Sequence, residues 1–349
     1  ELRFRGSFAI QAGGSAIGAA VTIGGALGGM GIWALIGGEL ASALAQSSLA
    51  LALGWRHWRP RLRFARHDLR GPLGTGMYQV GERAANLFAT NIDYVVVGRV
   101  LGAEALALYA VAFELTSLPA RLNQVVTRVA FPVLSRRQDD PDGFRRGYFE
   151  LMRVVALVQL PLIVGIGVLA PLLVPVFFGA DWAPAIPLVE ILALFGAFRA
   201  LGNPSGPVFL ARGRADIGFH FNLVVAPVAL AAFALAAPHG AEAVAWSWVA
   251  LGAAQLAALV VVQGNLVRFA ARDWLAAIAR PALIAALAAG FLVAARALAQ
   301  ALPVPDGVRL LVAVAVAGAA LAPAAWKLEG PFLRSWLAVV RQGAVAERT

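Results

Sequence analysis

The chain has 349 residues, of which 60% are hydrophobic and only 14% are charged, against about 25% charged residues in ordinary soluble domains, and this composition excludes a water-soluble fold. The absence of cysteine excludes disulfides, thiolate metal sites and cysteine nucleophiles, and the four widely separated histidines lack metal-ligand spacing, so no cofactor is expected. A net charge of +10 would suggest a nucleic-acid partner for a soluble chain, but in a membrane protein its distribution indicates topology instead.

Apolar stretches that are long enough to cross a bilayer recur along the whole chain. A membrane-spanning helix needs about 20 mostly apolar residues. The apolar runs between polar breaks give these candidate spans: 8–30, 32–54, 73–98, 104–134, 148–170, 184–210, 217–237, 241–265, 275–300 and 309–326. The sequence therefore predicts an all-α integral membrane protein with about ten transmembrane helices.

Basic residues collect on alternate connections between these spans, as the positive-inside rule requires. One side of the membrane receives Arg3, Arg5, Arg56, Arg59, Arg61, Arg63, Arg66, Arg70, Arg136, Arg137, Arg145, Arg146, Arg212, Arg214, Arg268, Arg272, Lys327, Arg334, Arg341 and Arg348. The other side receives only Arg99 and Arg309. A miscounted helix would mix the two sets, so the asymmetry supports the span count and predicts that both chain ends are cytoplasmic.

Residues 55–72 are predicted to form a basic cytoplasmic linker between two helical bundles. Their first ten positions mix arginine with aromatic residues, including Trp55 and Trp58. Such a segment suits a membrane surface with anionic headgroups better than nucleic acid, because tryptophan concentrates at membrane interfaces.

Two consecutive spans carry polar and ionisable side chains at membrane depth, where such groups are costly and usually face a bundle interior or an aqueous cavity. They recur at three- and four-residue steps and so share a helix face. On span 73–98 they are Gln79, Glu82, Arg83, Asn86, Thr90 and Asp93, and on span 104–134 they are Glu114, Ser117, Arg121, Gln124 and Arg128. These stripes either pair with each other or bind a ligand. Glu114 and Arg121 lie about 10 Å apart along the helix axis, so each is expected to find a partner elsewhere.

Arginine in a membrane cavity suits phosphate, because its planar guanidinium donates bidentate hydrogen bonds. Span 184–210 adds Arg199 and Asn203, followed by the sequence GNPSGP at 202–207, which cannot continue a regular helix. Such a break marks either a tolerated kink or a binding or hinge region. The chain contains no nucleophile-elbow motif and no phosphate-binding glycine-rich loop, so the protein is not expected to be an enzyme.

The sequence NIDYVVVGRVLG at 91–102, followed by LYAVAF at 108–113, resembles polysaccharide flippases of the multidrug/oligosaccharidyl-lipid/polysaccharide exporter superfamily. The resemblance continues through VTRVAFPVLSR at 126–136 and extends to about residue 270, much as in Wzx-type exporters. Ala107 stands where these relatives have glycine, which is a small departure.

The resemblance implies a MATE-like fold, with two six-helix lobes around a central cavity and often two further C-terminal helices. On that plan the chain divides into residues 1–54 as the last two helices of an incomplete N-lobe, 55–72 as the linker, 73–267 as the C-lobe, 268–328 as two extra helices and 329–349 as a cytoplasmic tail. About four N-terminal helices are then expected to be absent, which agrees with a chain that opens without methionine.

By resemblance, the expected function is to flip undecaprenyl-diphosphate-linked oligosaccharides across the bacterial inner membrane by alternating access. The substrate-binding candidates are Arg83, Arg121, Arg128 and Arg199 for the diphosphate, and Gln79, Asn86, Gln124 and Asn203 for sugar hydroxyls. The candidates for binding a coupling proton or sodium ion are Glu82, Asp93 and Glu114. The expected partners are this lipid-linked substrate, membrane lipids and other proteins of the polysaccharide pathway, and not nucleic acid.

Three alternatives remain open. A multidrug or cation antiporter of the same superfamily would use acidic cavity residues, and the arginine-lined stripes argue against it. A membrane-embedded polysaccharide polymerase or ligase would share the hydropathy, but such enzymes tend to carry catalytic residues on a sizeable outward loop, and the outward connections here are short. A non-transporting membrane scaffold is excluded only by a transport assay.

Overall fold

A computed structural model describes residues 4–54, 91–121, 140–301 and 303–346 of the chain. These residues are almost entirely helical. The chain divides into two compact units, Glu1–Gly81 and Glu82–Thr349. The predicted linker at 55–72 lies outside the described residues, so its boundaries stay a prediction.

The first unit contains two helices, α1 (Phe4–Leu27) and α2 (Ile32–Gly54), which form an antiparallel pair. The turn between them uses Gly29 and Gly31, whose φ angles of 77° and 55° favour glycine. The two backbones approach closely along the pair: a Cβ atom added to Gly18 would lie 2.9 Å from the Gly38 carbonyl oxygen. Small residues at a helix contact allow this approach in membranes, where van der Waals packing drives helix association.

The second unit begins with a helical hairpin, α3 (Asn91–Arg121), which reverses direction at Gly102. The φ angle of Gly102 is 90°. The Tyr109 hydroxyl donates a hydrogen bond of 2.8 Å to Asp93, although 16 residues of straight helix would separate them by about 24 Å. Residues 91–101 and 103–121 are therefore antiparallel arms, in agreement with the break predicted between the spans 73–98 and 104–134.

Seven further helices and two short 3-10 segments complete the second unit. They are α4 (Pro141–Phe178), a 3-10 segment (Ala180–Ala185), α5 (Ile186–Gly202), α6 (Ser205–Ala211), α7 (Ala215–Ala236), a 3-10 segment (Ala237–His239), α8 (Ala241–Val267), α9 (Ala271–Gln300) and α10 (Asp306–Ala346). Helix α10 extends beyond the predicted span 309–326 and includes most of the residues predicted as a tail.

The predicted helix break at 202–207 is present, but it is shallow. Helix α5 ends at Gly202 and α6 begins at Ser205, and the intervening Asn203 and Pro204 keep right-handed helical angles, with φ of −53° and −64°. The Ser205 hydroxyl donates a hydrogen bond of 2.6 Å to the Gly202 carbonyl. This bond satisfies a carbonyl near the end of α5, where the regular backbone ladder is interrupted. The chain therefore bends here without unwinding.

Among the described residues, nine helical segments are long and apolar enough to cross a membrane. One of them, the hairpin α3, contains parts of two predicted spans. The prediction of an all-α integral membrane protein with about ten transmembrane helices is confirmed. Helix α4 lies at the centre of the second unit and packs against α5, α9 and α10.

A buried ion pair joins α4 to the last helix. Arg153 Nη2 lies 2.5 Å from Glu329 Oε2, and Glu329 is fully buried. The Arg153 guanidinium also lies 4.5 Å from the centre of the Phe332 ring. At the other end of this contact, Leu172 of α4 packs in an apolar cluster with Leu310 of α10. Helix α10 is thus held to α4 by a charge pair and by apolar packing.

Substituting Gly38→Val in full-length protein is expected to destabilise the α1–α2 pair by about 2 kcal/mol, because the added side chain overpacks the contact. Its Cβ would collide with Thr22 and lie 2.9 Å from the Gly18 carbonyl. Gly37→Val is the matched control, since only Val21 lies near its Cβ, at 4.0 Å. Thermal unfolding in detergent measures both, and equal midpoints would contradict this packing.

Substituting Arg153→Met is expected to destabilise the protein by about 3 kcal/mol, because it leaves the buried Glu329 carboxylate without its partner. The double variant Arg153→Met/Glu329→Leu is expected to regain most of that stability, since it removes both charges. The measurement is again thermal unfolding of full-length protein. If the Arg153→Met variant is as stable as the wild type, the ion pair with Glu329 does not stabilise the fold.

Candidate functional site

Arg199, in the last turn of α5, lies half-buried over two aromatic rings. Its guanidinium carbon is 5.6 Å from the ring centre of Phe113, in the second arm of α3, and 5.6 Å from that of Phe195, one turn earlier in α5. These distances are typical of cation–π contacts. In the described part of the chain, Arg199 forms no ion pair with a carboxylate. We name Arg199, Phe113 and Phe195 the arginine platform.

Trp248 of α8 packs against both rings of the arginine platform. Its ring centre is 4.6 Å from that of Phe195 and 6.0 Å from that of Phe113. Tyr109 adds a further ring, 6.1 Å from Phe113. Trp248 therefore contacts both rings of the platform, and Tyr109 contacts Phe113 from one turn earlier on the same arm of α3. The positions of Phe113 and Phe195 depend on these neighbouring rings.

Asp93 binds both of the supporting side chains. Its Oδ2 atom accepts hydrogen bonds from the Tyr109 hydroxyl, at 2.8 Å, and from Trp248 Nε1, at 3.1 Å. The Trp248 N–H also points to the Tyr109 oxygen, at 2.8 Å. Asp93 is fully buried, and its Oδ1 atom has no hydrogen-bond partner. We name Asp93, Tyr109 and Trp248 the Asp93 triad.

Glu114 and Arg121 form an ion pair with each other on the second arm of α3. The expectation that each would find a partner elsewhere is wrong. Seven residues make almost two full helical turns, so both side chains project from the same face. Both are long enough to bridge the remaining distance along the axis. The two side chains are exposed in this unit.

Asn203 lies in the bend between α5 and α6, where its N–H donates to the Arg199 carbonyl at 2.9 Å. A chain of side-chain hydrogen bonds stabilises this bend: Tyr148 of α4 donates to Gln263 of α8, and Gln263 donates to Ser205. The bend that carries Asn203 is therefore tied to two other helices.

The structure brings some of the predicted residues together. The ring of Tyr94, the residue after Asp93, lies 5.8 Å from that of Phe113, over which Arg199 also lies. Arg199 and Asp93 thus reach one aromatic cluster, through Phe113 and Tyr109, whereas Glu114 and Arg121 pair with each other. Six predicted site residues lie outside the described residues: Gln79, Glu82, Arg83, Asn86, Gln124 and Arg128.

The sequence stripes do not include Tyr109, Trp248, Arg153, Arg296 or Glu329. A tyrosine or tryptophan inside an apolar span is a usable signal, because a buried hydroxyl or indole N–H usually has a hydrogen-bond partner. The charged side chain of Arg296 in α9 likewise has a hydrogen-bond partner: its Nη1 donates to the Val168 carbonyl of α4 at 2.8 Å.

Comparisons with known sequences give consistent results. The sequence profile of a family described as polysaccharide biosynthesis protein matches residues 1–187. The chain is 32% identical to the teichuronic acid biosynthesis protein TuaB of Bacillus subtilis (strain 168), over 61% of this chain and 45% of TuaB. It is 32% identical to the lipopolysaccharide biosynthesis protein WzxC of Escherichia coli (strain K12), over 53% of this chain and 38% of WzxC.

A third relative, the amylovoran biosynthesis protein AmsL of Erwinia amylovora, is 31% identical over 56% of this chain and 50% of AmsL. The chain therefore matches half or less of the length of these curated relatives. Among solved structures, the fold is similar to that of the lipid II flippase MurJ in an inward closed conformation, with a TM-score of 0.59. The identity is 13%, over 90% of this chain and 67% of MurJ, and the predicted MATE-like flippase fold is confirmed.

Proposed function

Since the chain belongs to the polysaccharide biosynthesis protein family, we propose that it flips undecaprenyl-diphosphate-linked oligosaccharides across the bacterial inner membrane by alternating access. The names of its relatives support a polysaccharide pathway, and its fold is similar to that of a lipid flippase. It acts as a transporter and not as an enzyme, with both ends of this chain on the cytoplasmic side. Other proteins of the polysaccharide pathway supply and receive its substrate.

The arginine platform is the observation that carries this proposal. Arg199 presents a positive charge at membrane depth, and the described part of the chain offers it no carboxylate. The Phe113 and Phe195 rings exclude water from one side of the guanidinium, and partial desolvation strengthens its attraction for an anion. A diphosphate accepts the bidentate hydrogen bonds that a guanidinium donates, so the headgroup of the lipid-linked substrate fits this site.

Arg121 supplies a second charge for the diphosphate through an exchange of partners. In this structure it is paired with Glu114, and an arriving diphosphate would compete with that carboxylate for the guanidinium. Arg83 and Arg128 are proposed to complete the diphosphate site. Sugar hydroxyls are assigned to Asn203 in the bend after α5, and to Gln79, Asn86 and Gln124.

The exchange also suggests how transport is coupled to an ion. When the diphosphate binds Arg121, the Glu114 carboxylate loses its partner and becomes free to bind a proton or a sodium ion. Glu82 is a further candidate for that role. Asp93, the third predicted carboxylate, is fully buried and already accepts two hydrogen bonds.

Substituting Arg199→Gln in the full-length parent protein is expected to reduce flipping by about tenfold or more, the effect of losing one charge-assisted hydrogen bond. The assay is complementation of a bacterium that lacks its own polysaccharide flippase, scored for surface glycan and accumulated lipid-linked precursor. Arg280→Gln, the same change at an exposed arginine of α9, is the control and is expected to have no effect.

Two outcomes would contradict this proposal. Normal glycan in the Arg199→Gln strain would show that Arg199 does not bind the diphosphate. Drug resistance instead of surface glycan in the strain with wild-type protein would identify a multidrug exporter of the same superfamily.

Substituting Glu114→Gln is expected to tighten binding of undecaprenyl diphosphate to the purified full-length protein by about threefold to tenfold, because it releases Arg121 from a surface ion pair. Arg121→Gln is expected to weaken the same binding. Glu190→Gln removes an exposed carboxylate of α5 and serves as the control. If Glu114→Gln weakens binding as strongly as Arg121→Gln does, the pair stabilises the helix and does not compete with the substrate.

A further inference from the structure

We infer that Asp93 is a positioning residue for the arginine platform. It accepts hydrogen bonds from Tyr109 and Trp248, and these rings hold Phe113 and Phe195 beneath Arg199. The inference rests on the proposed function, since it gives a substrate-binding role to the platform. It assigns to Asp93 a task that depends on its oxygen as an acceptor and not on its charge.

Asp93 uses a single carboxylate oxygen to hold both of its partners. Both hydrogen bonds reach Oδ2 of Asp93, while Oδ1 has no partner. An amide oxygen at the same place would accept the same two bonds. The geometry therefore requires an acceptor at this position and leaves the second oxygen without a structural task.

Trp248 connects the Asp93 acceptor to the arginine platform. Trp248 packs 4.6 Å from Phe195 and 6.0 Å from Phe113, measured between ring centres. Without Asp93, the Tyr109 hydroxyl would lose its acceptor and Trp248 Nε1 would keep only the Tyr109 oxygen. A buried hydroxyl without an acceptor costs free energy and favours other orientations of both rings. A rotated indole would remove support from both platform rings, and Arg199 would lose the surface over which it lies.

The side chains around the Asp93 carboxylate are hydrogen-bond donors and apolar groups. Tyr109 and Trp248 both direct hydrogens at it, and an indole N–H has no lone pair to offer a cation. The buried neighbours in this cluster include Val97, Ala112 and Phe233, which are apolar. Hard cations bind several oxygen ligands at once, and among the described residues around Asp93 this set of donors and apolar groups does not supply them. The surroundings fit an acceptor that orients its neighbours better than a cation site.

Asp93 can influence the whole platform because its partners come from several helical segments. Asp93 lies in the first arm of α3, Tyr109 in the second arm and Trp248 in α8. Arg199 comes from α5. The Asp93 triad thus joins three helical segments next to the rings over which Arg199, from a fourth segment, lies, and its integrity sets the geometry of the platform.

Two variants separate acceptor from charge. Asp93→Asn keeps an acceptor oxygen, and binding of undecaprenyl diphosphate to the full-length protein is expected to stay within about twofold of wild type. Asp93→Leu is similar in size but accepts no hydrogen bond, and binding is expected to weaken about tenfold, which corresponds to ~1.4 kcal/mol. In an Arg199→Gln background, Asp93→Leu is expected to weaken binding no further, because residues that act through one contact are not additive.

A labelling experiment tests the positioning role without any substrate. The 349 residues of this chain contain no cysteine, so Arg199→Cys introduces the only thiol among them, at the platform. Its rate of reaction with a charged, water-soluble thiol reagent is expected to change several-fold when Asp93→Leu is added and to stay unchanged with Asp93→Asn.

The outcomes distinguish the role of the platform in diphosphate binding from the positioning role of Asp93. If Arg199→Gln alone leaves diphosphate binding unchanged, the proposed role of the platform fails, and the labelling rates still decide whether Asp93 positions it. Labelling rates that are insensitive to Asp93→Leu would overturn the inference. So would loss of transport in Asp93→Asn with normal diphosphate binding, because that result would identify Asp93 as the group that binds the coupling ion.

Discussion

The second unit is organised by the cost of placing a polar or charged group in a hydrocarbon environment without a partner. Two of its helix contacts show how such groups find one. Arg153 pairs with Glu329 between α4 and α10, and Arg296 donates to the Val168 carbonyl between α9 and α4. Each contact joins two helices that also share apolar clusters, so satisfying polar groups and burying apolar side chains favour the same neighbours.

Arg199 differs from those arginines, and this difference gives the site its proposed chemistry. Arg153 has a buried carboxylate partner, whereas Arg199 has aromatic rings and, in the described part of the chain, no carboxylate. A cation held in this way keeps its hydrogen-bond donors available for an anion. The Asp93 triad packs against the same rings, so a hydrogen-bonded cluster supports the surface over which Arg199 lies.

Much of the architecture could be predicted from the sequence, because length and hydropathy suffice to recognise a membrane helix. The break between the spans 73–98 and 104–134 coincides with the reversal of α3 at Gly102, and the GNPSGP sequence coincides with the bend after Gly202. Side-chain partners are a different matter. The pairing of Glu114 with Arg121 was missed because distance along the helix axis neglects the reach of two long side chains.

Composition and local patterns were enough to recognise the class of the protein: an all-α membrane fold with arginine and carboxylate side chains at membrane depth, and motifs typical of polysaccharide flippases. These properties depend on composition, periodicity and local motifs, which need no knowledge of neighbours in space. The packed helices were needed to reveal that Asp93 binds Trp248, which lies 155 residues later in the chain, and that Arg199 lies over Phe113. Hydrogen bonds and ring contacts act over a few ångströms, and helix packing alone brings distant parts of the chain that close.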